Sequence, residues 1–203
     1  MICIIDYGMG NLQSLNKAFR RCGVDAVISK SLQDIQNAKK LILPGVGHFK
    51  QGMQNLKESG ILPVLKQKIL NDKTPVLGIC LGMQLLTSFS EEGNCDGLNL
   101  IDASVIHFKN LGLSREFKIP HIGWNSINST NSNELLNNLD GEMMYFVHSY
   151  AVKCNVPEDV ICETFYGITF HSGFRHDNIY GLQFHPEKSH KSGLNIIRNF
   201  LKL

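Results

Sequence analysis

The stretch that most restricts the fold is Pro75-Val76-Leu77-Gly78-Ile79-Cys80-Leu81-Gly82-Met83-Gln84. Proline introduces a short apolar run that reads as a buried strand, and residues 81–89 read as the helix that follows. A strand passing straight into a helix is the unit from which parallel sheets with helices on both faces are assembled. The rest of the first half repeats the alternation. Ile2–Ile5 predicts a buried strand closed by Asp6 and Gly8. Leu12, Leu15, Phe19 and Cys22 fall at helical spacing before a stop at Gly23. Residues 24–28 and 40–43 predict two more strands. Leu56, Leu62, Leu65, Ile69 and Leu70 suit one or two helices, with Pro63 in a first turn.

The second half changes character. Residues 105–108, 143–147, 160–165, 168–174 and 179–184 predict strands, close enough for hairpins at Tyr166-Gly167 and Asp177-Asn178. Leu194, Ile197, Phe200 and Leu201 put an apolar stripe on a closing helix. The Asn-rich residues 125–138 read as an exposed loop leading into a short helix. The expectation is one α/β domain over residues 1–203, in three layers, with a mixed, mainly parallel central sheet flanked by helices.

Composition narrows the function. A chain of 203 residues buries about 70% of its unfolded surface and needs no disulfide or metal to fold. Its 20 Lys and Arg nearly balance 18 Asp and Glu, which argues against a nucleic-acid partner. No apolar run approaches the roughly 18 residues of a membrane span, and no signal-peptide pattern opens the chain. Six cysteines without a C-x-x-C pair argue against structural zinc and for free thiols in a reducing cytoplasm. Neither metal nor cofactor is expected.

The candidate chemistry centres on Gly78-x-Cys80-x-Gly82. Glycines flanking a residue between strand and helix permit the strained turn that exposes a nucleophile, near helix N–H groups that favour a thiolate. Such a nucleophile needs a base, and the base an orienting partner. Of eight histidines, His185 stands out. It ends a strand, Pro186 blocks continuation, and Glu187 lies two residues on, on the same side of an extended chain. Alone, Cys80 could be a buried hydrophobe and His185-Pro186 a surface turn; together they point to a thiol hydrolase. Leu43-Pro44-Gly45-Val46-Gly47-His48 offers a second oxyanion donor near Gly47, beside the Leu81 N–H. It is no phosphate loop, lacking the Gly-Lys-Ser/Thr ending. Asp6-Tyr7-Gly8-Met9-Gly10-Asn11 is too incomplete for a dinucleotide fingerprint.

At this point the chain resembles the class I, triad-type glutamine amidotransferases, nearly end to end. The similarity runs through DYGMGNLQS (6–14), LPGVG (43–47), PVLGICLGMQL (75–85), PHIGWN (120–125), FVHSY (146–150) and YGLQFHPEKS (180–189). The opening segment and PHIGWN point, within that class, to glutaminase subunits of imidazole glycerol phosphate synthases of histidine biosynthesis. The resemblance implies Cys80 as nucleophile, His185 as base and acid, and Glu187 as orienting carboxylate. It makes Gly47 and Leu81 the oxyanion donors, and it implies that Gln84 and the Ser149-Tyr150 backbone hold the amino-acid end of glutamine. Trp124, which read alone is a core tryptophan, is implied to lie at an interface with a synthase partner. That partner is implied to be a (β/α)₈-barrel cyclase forming a heterodimer and receiving the ammonia. His48 stands where relatives often carry a small residue. It leaves open a sister branch feeding another synthase, such as one making a surface-sugar precursor; a stand-alone thiol amidase is the other alternative.

Overall fold

Each apolar run of the first half becomes a strand covered on both faces. The computed structural model describes all residues, 1–203. In chain order the first half runs β1 (Ile2–Ile5), α1 (Leu12–Arg21), β2 (Val27–Ser29), α2 (Leu32–Asn37), β3 (Lys40–Leu43), α3 (Phe49–Glu58), α4 (Leu62–Lys66), β4 (Val76–Ile79) and α5 (Leu81–Leu85). The second half runs β5 (Thr87–Ser90), β6 (Cys95–Asp96), β7 (Ile101–His107), β8 (His121–Ser126), β9 (Asn128–Ser129), β10 (Met143–His148), β11 (Tyr150–Cys154), β12 (Val160–Phe165), β13 (Thr169–His176), β14 (Ile179–Leu182) and α6 (His190–Lys202).

One mixed sheet carries the order β2-β1-β3-β4-β14-β13-β11-β7-β5-β6, with β12 and β9 added beside β13. The block β2-β1-β3-β4-β14 is parallel throughout. Beyond β14 the pairing is antiparallel except between β5 and β7. Strand periodicity divides the core. In β1, Ile2 and Ile4 join a cluster of 29 buried residues with Phe19 of α1 and Phe200 of α6. Cys3 and Ile5 point to the other face, into a cluster of 27 with Phe49, Leu56 and Leu65 of α3 and α4. Two clusters of nearly equal size make three layers. A separate hairpin-like sheet pairs β8 with β10, setting His121 opposite His148 and Trp124 opposite Tyr145.

Three local expectations change. The helix expected over 81–89 stops at Leu85. Leu98 N–H takes the Leu85 carbonyl, Leu100 and Ile101 N–H take that of Leu86, and the Thr87 hydroxyl takes that of Gln84. Those carbonyls are therefore unavailable to a further helical turn, and 87–90 becomes β5. The Asn-rich stretch holds the end of β8 and all of β9, and its expected helix is a set of turns. Asn133 accepts from Leu136 N–H, and Asn199 donates to the Leu135 and Asn137 carbonyls. Beyond α1 the chain folds back, Val24 N–H donating to Phe19 O at 3.2 Å, and β2 starts only at Val27.

The parallel block sets the ends of β3, β4 and β14 side by side, and α5 packs its first turn against the end of β3. A Cβ at Gly82 would land on the Leu43 carbonyl oxygen, 2.7 Å from its carbon and 3.2 Å from that of Pro44. No flexible side chain is there to give way. Gly82→Ala is expected to cost about 3 kcal/mol, at the upper end for overpacking. Urea unfolding measures this, and a wild-type midpoint would contradict the close approach.

Candidate active site

The backbone makes Cys80 exceptional. Its N–H completes the ladder by donating to Leu182 O at 2.8 Å, while its carbonyl accepts the first helical bond from Gln84 N–H at 3.2 Å. Between strand and helix the residue sits at φ +53°, ψ −110°, a conformation costing a non-glycine residue about 1–3 kcal/mol. The turn is the strained elbow expected from the glycine spacing. With α5 only five residues long, however, the helix dipole there is short.

The side chain lines a pocket of about 250 Å³ together with Val46, Gly47, Leu81, Gln84, Glu92, Ser149 and Tyr150. His185 and Glu187 flank Pro186 at the end of β14, and their side chains meet with Nδ1 2.8 Å from Oε1. Both are almost wholly buried. The turn is pinned to β10: His185 N–H donates to Tyr145 O at 2.9 Å, and the Ser189 hydroxyl bridges by donating to His185 O and accepting from Tyr145 N–H. With Nδ1 held by the carboxylate, Nε2 has no hydrogen-bond partner in the protein and is the atom available to the sulfur. Burial alone would lower the imidazole pKa. The Cys80 sulfur close to the ring and the Glu187 carboxylate bonded to Nδ1 outweigh it and raise the value to about 10. The site thus favours the protonated ring.

The two residues expected to supply oxyanion donors both line the pocket, in different states. Gly47, at φ +118°, adopts a backbone that other residues resist. The Leu81 N–H is occupied, donating to Gly45 O at 3.3 Å. The segment is braced by the opening motif, for Tyr7 donates its hydroxyl to Pro44 O at 2.6 Å. His48 caps α3, its Nδ1 accepting from Lys50 N–H, and Glu92 accepts from Phe49 N–H at 2.7 Å.

Gln84 reaches away from bulk solvent. Its amide nitrogen donates to Tyr150 O at 3.2 Å and to Gln183 Oε1 at 3.0 Å, and the nitrogen of Gln183 lies 3.7 Å from Cys80 Sγ. The Ser149 carbonyl accepts from Phe108 N–H. The Tyr150 carbonyl is filled by Gln84 and by His148 Nδ1 at 2.8 Å. What this segment can offer a ligand is therefore N–H groups and side chains. Trp124 is not in the core: it is 42% exposed and stacks on His190 at 4.8 Å with 4° between planes.

Nothing in the sequence singles out Glu92, which looks like a solvated turn residue, or Gln183, an ordinary strand-end glutamine inside YGLQFHPEKS. The same is true of His121 and His148. These two buried rings join at 3.1 Å. Because Tyr150 O only accepts, His148 carries its proton on Nδ1, and its Nε2 accepts a hydrogen bond from His121 Nδ1–H.

This fold and pocket define a class of protein. The chain belongs to the glutamine amidotransferase class-I family, whose model matches residues 3–203. Within it, the chain is 50% identical over 203 residues to imidazole glycerol phosphate synthase subunit HisH 2 of Methanococcus maripaludis, covering 100% of this chain and 99% of the relative. It is 45% identical over 204 residues to imidazole glycerol phosphate synthase subunit HisH of Leptospira borgpetersenii, covering 100% of both. Among solved structures, a glutamine amidotransferase matches with TM-score 0.78 at 16% identity, over 100% of this chain and 98% of that one. Another glutamine amidotransferase, from Thermotoga maritima, matches with TM-score 0.67 at 16% identity, over 99% and 96%. The structural matches speak for the fold.

The histidines set a two-sided pH dependence. Burial lowers His121 to about 4. Burial, with the charges of His121 and His185, lowers His148 to about 3 against the opposing bond to Tyr150. Below pH 6.5 the unfolded chain therefore binds protons that these two refuse, and stability falls at up to roughly 1.4 kcal/mol per pH unit for each. His185 acts oppositely. Its contribution is complete below pH 6.5 and is lost as pH rises toward about 10. Urea midpoints across pH should peak near 6.5, and His148→Asn should flatten only the acid limb.

Proposed function

We propose that this chain is the glutaminase subunit of an imidazole glycerol phosphate synthase of histidine biosynthesis, working in the cytoplasm as a heterodimer with a (β/α)₈-barrel cyclase. The observation that carries the chemistry is a cysteine held at positive φ on a pocket wall, with a buried imidazole–carboxylate pair beside it. Full-length relatives named as imidazole glycerol phosphate synthase subunits support the pathway.

The Cys80 thiolate attacks the side-chain carboxamide carbon of glutamine, forming a C–S bond and an oxyanion. Imidazolium His185 gives its proton to the amide nitrogen, the C–N bond breaks and ammonia leaves. Water, losing a proton to His185, attacks the thioester; the C–S bond breaks, giving glutamate and restoring the thiolate. Glu187 holds the ring and stabilises its cationic form. Glu92, still carrying one oxygen not bonded to Phe49, offers the charge that a glutamine ammonium group needs. Gln84 braces the opposite wall.

The oxyanion requires a donor that this conformation lacks, since Gly45 occupies the Leu81 N–H. Rotating the Gly45–Gly47 backbone would free that N–H and turn a second one inward. A partner that favours the rotated state switches the enzyme on only while docked, so ammonia is released where it is used. Trp124, with the exposed Ile122, Met143 and Phe165, supplies an apolar face for docking. The His190 ring under Trp124 follows directly on the Glu187 turn.

Cys80→Ala is expected to abolish glutamate release, and a chloroketone analogue of glutamine to label Cys80 alone. Burial of Cys3, Cys154 and Cys162 raises their thiols to about 11, 12 and 12, which protects them. His185→Ala should lower kcat by orders of magnitude, Glu187→Gln by less, and Glu92→Gln should raise KM. Wild-type turnover in Cys80→Ala would defeat the assignment.

A second reading is a sister branch delivering ammonia to another synthase. Names of some relatives end in a numeral, as in Methanococcus maripaludis, Pseudomonas aeruginosa and Campylobacter jejuni. Reconstitution decides between them. Under the first reading, a histidine-pathway cyclase from the same genome accelerates glutamate release severalfold and forms imidazole glycerol phosphate. No acceleration by that cyclase would move the chain to the second reading.

A further inference from the structure

We propose that Gln183 is a positioning residue for the nucleophile, its side-chain N–H donating to the Cys80 sulfur and holding it as the thiolate. The inference rests on the reading of Cys80 as nucleophile.

Donor polarity leaves one arrangement of these amides. Tyr150 O can only accept, so the Gln84 amide must present its nitrogen there. The same nitrogen's other hydrogen points at Gln183, which must therefore present its oxygen to Gln84. That leaves the Gln183 nitrogen facing Cys80, at 3.7 Å, within the range of an N–H···S bond. Neither amide can turn over without setting two donors or two acceptors against each other. Gln183 is fully buried, so water cannot substitute. Its backbone is fixed by donation to Ser172 O at 2.9 Å.

The sulfur's other polar neighbour works the opposite way. The Val147 carbonyl lies 4.0 Å from Sγ, where it can accept from a thiol and repels a thiolate. His185 supplies a charge, but in catalysis it surrenders its proton to the leaving nitrogen. The ring regains a proton when water attacks the thioester; Gln183 cannot ionise, so its donation stays constant while that charge comes and goes.

The test is the pH profile of Cys80 alkylation by iodoacetamide, followed residue by residue by mass spectrometry with circular dichroism as the check on folding. In Gln183→Met the profile is expected to move up by about one pH unit, and in Gln183→Glu, which sets an oxygen against the sulfur, by more. A folded Gln183→Met or Gln183→Glu protein with the wild-type profile would overturn the proposal. Should both variants unfold, Gln183→Asn, whose amide is one methylene too short to reach the sulfur, carries the same test with the same two outcomes. Failure of the underlying reading looks different: Cys80 in the wild type would then alkylate no faster than Cys22 or Cys95.

Discussion

The contact on which the site depends is steric: the first turn of α5 lies directly on the end of β3, at the Leu43 carbonyl. This forces β4 to turn into α5 with no connecting loop, and the forced turn puts Cys80 at φ +53°. The strain is sustained because the ladder bond to Leu182 and the helical bond from Gln84 clamp the residue from both sides. Parallel pairing of β4 with both β3 and β14 then brings three separate segments to one rim. These are the 44–47 loop after β3, Cys80 after β4, and 183–187 after β14. A parallel sheet gathers the carboxyl ends of its strands, and chemistry collects there.

Polar groups buried beside this rim are arranged by elimination. Tyr150 O accepts from both Gln84 and His148, and that single carbonyl fixes the direction of two hydrogen-bond chains. One passes through Gln84 and Gln183 toward the sulfur. The other passes through His148 to His121. The 147–150 segment is thereby held from beneath by neutral donors, and no charge competes with the imidazolium. Buried networks of this kind are stable only when complete, because a half-satisfied amide costs more than an apolar side chain in its place.

Periodicity and punctuation in the sequence carried the parallel half of the fold. The strands β1, β3 and β4 and the helix α1 lie where apolar runs and glycine stops put them, and β12 spans residues 160–165 as its β-branched and aromatic content implied. What failed was decided by distant chain. The end of α5 depends on N–H groups of residues 98–101, and the turns at 134–137 on Asn199; no local window contains either. Cys80, His185 and Glu187 were legible because their backbone demands leave marks, as glycines and a proline. Gln183 and Glu92 leave none, since a glutamine at a strand end and a glutamate in a turn are ordinary in any sequence. The roles proposed for them rest on which neighbours the fold supplies.

The occupied Leu81 N–H bears on how large an activation by a partner can be. A neutral hydrogen bond, here 3.3 Å long, contributes about 1 kcal/mol, so its rupture alone would gate the site by roughly a factor of five. Stronger control needs a further cost for the rotated state. The brace from Tyr7 to Pro44, at 2.6 Å, is one candidate for it, since rotating Gly45 strains a peptide whose preceding carbonyl is tied down. Glu92 is another, because it binds the N–H of Phe49 only two residues beyond Gly47. A glutamine ammonium drawn to that carboxylate would loosen its hold on α3 at the moment the 45–47 segment must move. On the proposed mechanism the substrate and the partner then act on opposite ends of one short segment, and the two effects multiply.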